Sequence, residues 1–475
     1  MSGRALHATG RTAPIRPGDD RGAPVPLSPS QERLWFLLHL HPGMRAYQFQ
    51  ATIEFTGTLD TQALTRALTE VVRRHEIYRT TFTDGPDGPC QIVHPPFPVA
   101  LPVDDLSTAP DPQAASREAI RTAVDVDIAF GQLPLVSWRL LRTAPDRHIL
   151  LHLEHHLIHD GWAFNVFVDE LWTLLRAFTA GHPSPLPPPS LQFADFAARQ
   201  RQWLDGPQAA RQLAYWTQQL NGVPPYLDLP TDRPRTARRR FAGDAPRFTI
   251  PAQLADRIRQ LARHERVSLF TVMLAAFEVL IHHWSGKEEF CIGTGMAARG
   301  RPETEHLLGM LVNTVALRAD LRDDPTFHEL LGPVHTTTLG ALQNQDIPFD
   351  RVVAALRPPR LRGRQPLCEV MFAFHDSPLS GLRTPDLKAD VTVAVANGSA
   401  KFDLNIIAIP RAEQAVGQGG AKESGDIELV WEYDQDLFDA ETVTKSARRY
   451  EKLLAAVTEN PHARVSALTQ RPEPK

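Results

Sequence analysis

The chain has 475 residues, of which 42% are hydrophobic and 22% charged, and a formal charge of −4. That length exceeds what one hydrophobic core serves and predicts two domains of roughly 200 residues each. The slight acidic excess excludes a domain-wide nucleic-acid binder, which needs basic charge to neutralise phosphates. No apolar run approaches the ~20 residues of a membrane span, and Met1 to His7 lack the apolar core of a signal peptide, so a cytoplasmic protein without membrane contact is expected. Cys90, Cys291 and Cys368 lie far apart without paired spacing and read as reduced.

Residues 1–25 are rich in Arg, Gly, Pro and Ala and are expected to form a disordered arm. Ser28 then caps a helix with Pro29 in its first turn and Leu34, Trp35, Leu37 and Leu38 on its buried face. A strand over 48–55 leads to a helix from Asp60 to His75, which ends in the charged stretch Arg73 to Phe82, read by itself as a solvated helix end. Strands over 134–141 and 148–153 follow. The segment 181–190, with five prolines, is the clearest linker and sets a lobe boundary at 183/184.

Beyond it come helices over 193–204 and 208–220. A basic crossover, 233–240, reads as a solvated loop or a surface for an acidic partner. The helix 269–284 is apolar on most sides and is expected to be buried, its His282–His283 pair structural. A short strand over 290–292 opens a loop without apolar periodicity, and strands over 402–409 and 427–433 precede a helix over 440–458. The Gly/Ala/Glu-rich insert 411–425 is expected to be a mobile loop.

The chemistry concentrates in His148 to Trp162, where an apolar strand runs into a histidine-rich turn and then a helix carrying Phe167, Leu171, Leu174, Leu175 and Phe178 on one face. Between strand and helix stand His155, His156, His159, Asp160 and Gly161. A helix start leaves backbone N–H groups unpartnered and able to face developing negative charge, and glycine lets a reacting oxygen approach them. Imidazole, with an ordinary pKa near 6.5, suits proton transfer at neutral pH. Four histidines within eight residues also raise a metal site, but the His-Glu-x-x-His spacing is missing and no metal is expected.

Taken together, these stretches resemble the condensation domain of nonribosomal peptide synthetases, along roughly Leu27 to Thr458. His155-His-Leu-Ile-His-Asp-Gly161 fits the signature His-His-x-x-x-Asp-Gly, and Arg74-His-Glu-Ile-Tyr-Arg-Thr-Thr-Phe82 is similar to the family's Arg-His-Glu motif. Phe193–Phe196, Val312–Thr314, Asn344–Phe349, Lys401–Leu404 and Glu432–Asp434 fall in the family's order. Ser30, Arg199, Leu311 and the loose arginine motif 362–367 depart from it. The resemblance implies an α/β fold of two lobes like chloramphenicol acetyltransferase, a V-shaped pseudo-dimer with a central tunnel: an N-terminal lobe over 26–183 and a C-terminal lobe over 184–475, with a bridging floor loop at about 293–318.

It further implies acyl transfer from a carrier-protein phosphopantetheine thioester to an amine or hydroxyl, giving an amide or ester. The enzyme binds no cofactor of its own; the carrier supplies the phosphopantetheine arm. His156 is the expected catalytic residue, as general base or as the group that orients the nucleophile, with Gly161 at a small oxyanion site. His155 is expected to hold the turn. Asp160 has two readings, helix cap and, by resemblance, partner of Arg299. Trp162, Leu311, Asn313 and Gln345 are expected to line the tunnel. The acceptor is a second carrier protein or a small free amine or alcohol, and a monomer is expected. The chain carries no adenylation or carrier segment, so a free-standing enzyme acting in trans is anticipated, with residues 1–25 and 233–240 as candidate docking elements. The alternative is a recruiting module of the same fold that only docks carrier proteins. An epimerase relative fits the 344–349 stretch less well, and a heterocyclising one would lack the histidines.

Overall fold

Local signals set the boundaries of the elements. Ser28 Oγ accepts from the Gln31 N–H while Gln31 Oε1 accepts from the Ser28 N–H, a reciprocal cap that starts the helix Pro29–Leu40. Asp60, Asp160 and Ser268 cap Thr61–Arg74, Gly161–Thr179 and Leu269–Ser285 one way only, each side chain accepting from first-turn N–H. A computed structural model describes residues 22–377, 382–414 and 425–468 of the chain.

Among the described residues, two large sheets organise these elements, beside a small three-stranded one. The first has five strands in the order Leu387–Val393, Gln48–Gly57, Arg147–His155, Val136–Ala144, Val103–Asp105. Gln48 pairs with His155 at the end where the histidine turn begins. The second sheet orders Asn313–Asp320, Glu289–Met296, Val370–Phe374, Leu404–Pro410 and Ile427–Asp434, with Gly243–Asp244 and Arg247–Ile250 both pairing to the last. Each sheet carries its own apolar core, one holding Leu64, Leu68, Phe164 and Phe167, the other Phe277, Phe372, Trp431 and Tyr450.

The second half of the chain returns more than once to the first lobe, which corrects the division at 183/184. Leu387–Val393, from the second half, pairs antiparallel with Gln48–Gly57 and completes the first sheet. Leu191, Phe193, Leu307, Leu308 and Leu311 pack into the first core. Gly309 makes the close passage possible: its φ is +143°, and a Cβ there would lie 2.0 Å from the Phe193 ring. The floor segment is also more regular than its aperiodic sequence implies. Strands run to Met296 and restart at Asn313, leaving only 297–312 as the bridge.

Further expectations are corrected by buried charge. Arg74 and His75 are not a solvated helix end: both are buried against Glu170 of the helix Gly161–Thr179, with Arg74 Nε and Nη2 at 3.0 Å and His75 Nε2 at 2.8 Å. Burial pushes the Glu170 carboxyl up, but His75 and Arg74 outweigh it and hold it at about 2. The crossover 233–240 is a largely exposed loop, as expected, but four of its arginines are already paired within the chain. Arg235 reaches Asp403 at 2.6 Å and Arg239 reaches Asp434 at 3.0 Å, while Arg233 and Arg240 contact Asp439 and Asp436.

The insert at 411–425 begins as the helical turn Arg411–Gln414, and Arg259 ties both ends, to Glu413 at 2.7 Å and to the Gly425 carbonyl at 2.6 Å; residues 415–424 lie outside the described residues. So do 1–21 of the N-terminal arm, whose end instead forms the strand Val25–Pro26 paired with Gln91 and Cys90. Among the described residues no single helix is long and apolar enough to cross a membrane; Ala252–Glu265 and Leu269–Ser285 bend by 105°.

Candidate active site

The strand Arg147–His155 alternates its side chains across the first sheet and passes through one short turn, His156–Ile158, into the helix starting at Gly161. The four histidines that crowd the sequence therefore diverge. His152 Nδ1 accepts from the Trp138 indole at 2.8 Å, and its Nε2 lies 3.0 Å from Glu154. His159 contacts the same carboxylate through Nδ1. Burial raises the Glu154 carboxyl, yet these two imidazoles overcome it and bring it to about 2. His155 Nδ1 accepts the Leu157 N–H at 3.1 Å, and burial together with the Lys401 charge takes its pKa down to about 3. A neutral His155 thus holds the turn by a local hydrogen bond. Among the described residues no group of three or more metal-ligating side chains is arranged to hold an ion.

His156 faces a channel between the two sheets with about 260 Å³ of open interior. Its Nε2 lies 2.7 Å from Lys401 Nζ. With the lysine as an ammonium, which has donors only, Nε2 is the acceptor of this contact. Burial, then Lys401, then His159 depress the imidazole well below its ordinary value, against a hydrogen bond to the backbone of His159 that works the other way. A neutral imidazole with an inward-facing lone pair is the form a proton acceptor needs.

Gly161 lies beside it at the helix start. The Ala163 N–H is taken by Asp160 Oδ1 at 2.8 Å and the Phe164 N–H by the Asp160 carbonyl, which leaves the Gly161 and Trp162 N–H groups as first-turn donors without intrahelical acceptors. A Cβ at Gly161 would meet His375 Cε1 at 3.7 Å, so the hydrogen keeps open the gap between the helix start and that ring. His375 directly follows the strand Val370–Phe374 and lines the channel; burial, His159 and Lys401 lower its pKa to about 4.

Asp160 performs both of the roles read from the sequence. Oδ1 caps the helix, and Oδ2 accepts from Arg299 Nη1 at 2.9 Å, Leu311 N at 2.8 Å and Val312 N at 3.0 Å. Arg299 is itself buried and donates onward to the Leu307 and Ala297 carbonyls. The pair thus staples the histidine turn of the first lobe to the bridge from the second.

Of the four residues expected along the tunnel, only Asn313 lines it. Its amide also donates to the Gln345 and Ile347 carbonyls at 2.8 and 2.7 Å, fixing the 344–349 stretch against the channel wall. Leu311 turns away into the first core, where it is 2% exposed, because its N–H must meet Asp160. Trp162 points to the far side of the helix start, its indole donating to the Glu305 carbonyl at 2.8 Å, and lines a separate crevice with Glu170 and Leu186. Gln345 braces the bridge from behind, accepting the Ala298 N–H at 3.1 Å.

The sequence reading missed Lys401 as a partner of His156, His375, Glu432 and the Glu154 clamp. Lys401 stood in a recognised motif, but its contact spans 245 residues, and His375 has no periodic or spacing signal around it.

Known proteins of similar sequence and shape identify the family and the fold. The family model described as "Condensation domain" matches residues 23–474. A linear gramicidin synthase polypeptide of Brevibacillus parabrevis is 37% identical over 464 residues, 96% of this chain, and the chain spans only 6% of that relative's length. The X-domain from teicoplanin biosynthesis superposes with a TM-score of 0.80 at 25% identity, covering 96% of this chain and 99% of that one. The first condensation domain of the calcium-dependent antibiotic synthetase, in complex with a substrate analogue, superposes with a TM-score of 0.78 at 19% identity over 94% of this chain and 99% of its own, which shows the shared fold. The two sheets are accordingly the two lobes of a pseudo-dimer like chloramphenicol acetyltransferase. The chain belongs to the condensation-domain family, whose similar sequences here are segments of nonribosomal peptide synthetases.

Proposed function

We propose that this protein transfers an acyl or aminoacyl group from a carrier-protein phosphopantetheine thioester to an amine or hydroxyl, forming an amide or ester. The observation that carries this reading is the neutral His156, its Nε2 lone pair turned into the inter-lobe channel beside the helix start at Gly161. The nucleophile binds with its N–H or O–H toward Nε2, and His156 takes the proton as the new bond forms. That proton transfer is worth roughly 10²- to 10⁴-fold. The carbonyl oxygen of the tetrahedral intermediate faces the Gly161 end of the helix, where free N–H groups and the positive end of the helix dipole stabilise it. His156 then returns the proton to the departing thiolate. The thioester is already activated, so the reaction needs no nucleotide. Catalytic roles fall to His156 and Gly161; His155, Asp160 and Arg299 hold the turn.

The test is intact mass spectrometry of carrier-bound acyl and aminoacyl thioesters mixed with this protein and offered carrier-bound aminoacyl groups, free amines and free alcohols. Transfer to one of these classes that is lost in His156→Ala is the expected result and identifies the acceptor. Carrier binding without transfer to any acceptor would replace this reading with that of a recruiting module.

A further inference from the structure

The channel contains a cation that the transfer chemistry does not use. Lys401 Nζ sits 2.7 Å from His156 Nε2, the position where the nucleophile's nitrogen or oxygen must come to give up its proton. The lysine is held from behind: the Arg239 guanidinium donates to the Lys401 carbonyl at 3.0 Å, and Arg239 itself is paired to Asp434. One step away on the channel wall are two acceptors on neighbouring strands. Glu432 and Asn405 are cross-strand partners and both line the channel. Asn405 Oδ1 is buried without a hydrogen-bond partner, while Glu432 Oε1 accepts the Lys401 backbone N–H at 3.1 Å.

We propose that Lys401 is a positioning residue that keeps the nucleophile's seat: in the free enzyme its ammonium occupies the acceptor position on His156 Nε2, and the incoming acceptor displaces it onto Glu432 and Asn405. This rests on the acyl-transfer reading above and adds an acceptor requirement. With a displaced ammonium held beside the seat, an amine is favoured there as the free base rather than as a second cation. Lys401 neither gives nor takes a proton in the transfer; burial lowers its pKa while Glu432 raises it. The amine nitrogen bonds to the thioester carbon, its proton passes to Nε2 and on to sulfur, and the C–S bond breaks.

The charged and titratable groups around the contact come from several elements. His156 is faced by His155 and His159 of its own turn and by Tyr47, while Lys401 is faced by Glu432, by the Tyr47 ring at 5.4 Å and by His375 across the channel. Among these, Lys401 is the cation seated on Nε2.

The experiment uses the full chain labelled with ¹⁵N-histidine, the His156 resonance being assigned by its loss in His156→Ala. In Lys401→Met the His156 titration should move up toward the ordinary value near 6.5. The KM for an amine acceptor should fall several-fold because nothing must be displaced, and the acid limb of kcat/KM should shift up with the imidazole, about tenfold in rate per pH unit below the limb. Lys401→Arg should restore both the titration and the limb. An unmoved titration, or an acceptor KM that rises in Lys401→Met, would overturn the proposal, the latter because it would make Lys401 a binder of the acceptor. Should Lys401→Met fail to fold, Glu432→Gln tests the same claim by weakening the landing site: acceptor KM should rise, and an unchanged KM would refute it. A wild-type protein that transfers nothing refutes the acyl-transfer reading, whereas the imidazole titration still reads the Lys401 contact.

Discussion

Asp160→Ala is the substitution that most sharply separates architecture from chemistry at this site. The Asp160 carboxylate receives the Ala163, Leu311 and Val312 N–H groups and the Arg299 guanidinium, all between 2.8 and 3.0 Å, and both members of the ion pair are buried. Removing it strands the Arg299 charge with no carboxylate and frees the two bridge N–H groups. Breaking a buried pair from one side costs ~3–5 kcal/mol, since the remaining charge is uncompensated. The individual bonds cannot be summed beyond that range because they form one network. Chemical denaturation of the full chain should therefore show a lower midpoint for Asp160→Ala and for Arg299→Ala. Asp160→Ala/Arg299→Met should lose less than the sum of its two single substitutions, because it buries no lone charge. A wild-type midpoint for Asp160→Ala, combined with lost activity, would refute the staple and give Asp160 a direct part in the reaction.

Three further outcomes follow from the same geometry. The acid limb of kcat/KM, measured with a hydroxyl acceptor so that only the enzyme titrates, should lie well below pH 6.5, because burial and Lys401 disfavour the protonated form of His156; a limb at the ordinary imidazole value would contradict that environment. Glu278 lies 1% exposed in the second core with Oε2 unpartnered, and burial raises its carboxyl well above the ordinary value. The folded chain keeps this proton where the unfolded chain releases it, so its contribution is complete below about pH 4.3 and is lost as pH rises toward the folded value. Glu278→Leu should stabilise the protein by on the order of 1–3 kcal/mol at neutral pH and less in acid, read from denaturation midpoints at two pH values; equal shifts at both would contradict an unpaired, protonated carboxyl. Gly161→Ala should leave the midpoint nearly unchanged, since its Cβ meets only His375 at van der Waals distance, yet slow transfer by roughly 10- to 100-fold by filling the gap at the helix start. Unchanged transfer would move the oxyanion elsewhere.

The parts of this site legible in the sequence are those whose signals are local. The Asp160 cap, the apolar face after Gly161 and the strand before His155 declare themselves within about twenty residues, and the ordered motifs supplied the partnership with Arg299. Orientation was not legible. Trp162 and Leu311 flank the site in sequence, but a one-residue step on a helix or loop turns a side chain through a large angle, and hydrogen bonds to Glu305 and Asp160 settle which way each faces. The basic crossover is the exposed loop its composition predicts, but its ion pairs were not legible because the acidic partners, Asp403, Asp434, Asp436 and Asp439, lie more than 160 residues downstream. The strand Leu387–Val393 gave no sign that it would complete a sheet begun at Gln48. Lys401 and His156 meet only because the two lobes face each other across the channel, an arrangement no local pattern encodes.

Whether His156 moves the nucleophile's proton is decided by single-turnover transfer from a carrier-bound thioester. Wild type and His156→Ala are compared at saturating carrier, with thermal stability and carrier affinity measured in parallel. The expected result is a rate loss of roughly 10²- to 10⁴-fold with carrier affinity and stability retained. A folded, carrier-binding His156→Ala that transfers within a few-fold of wild type would contradict it.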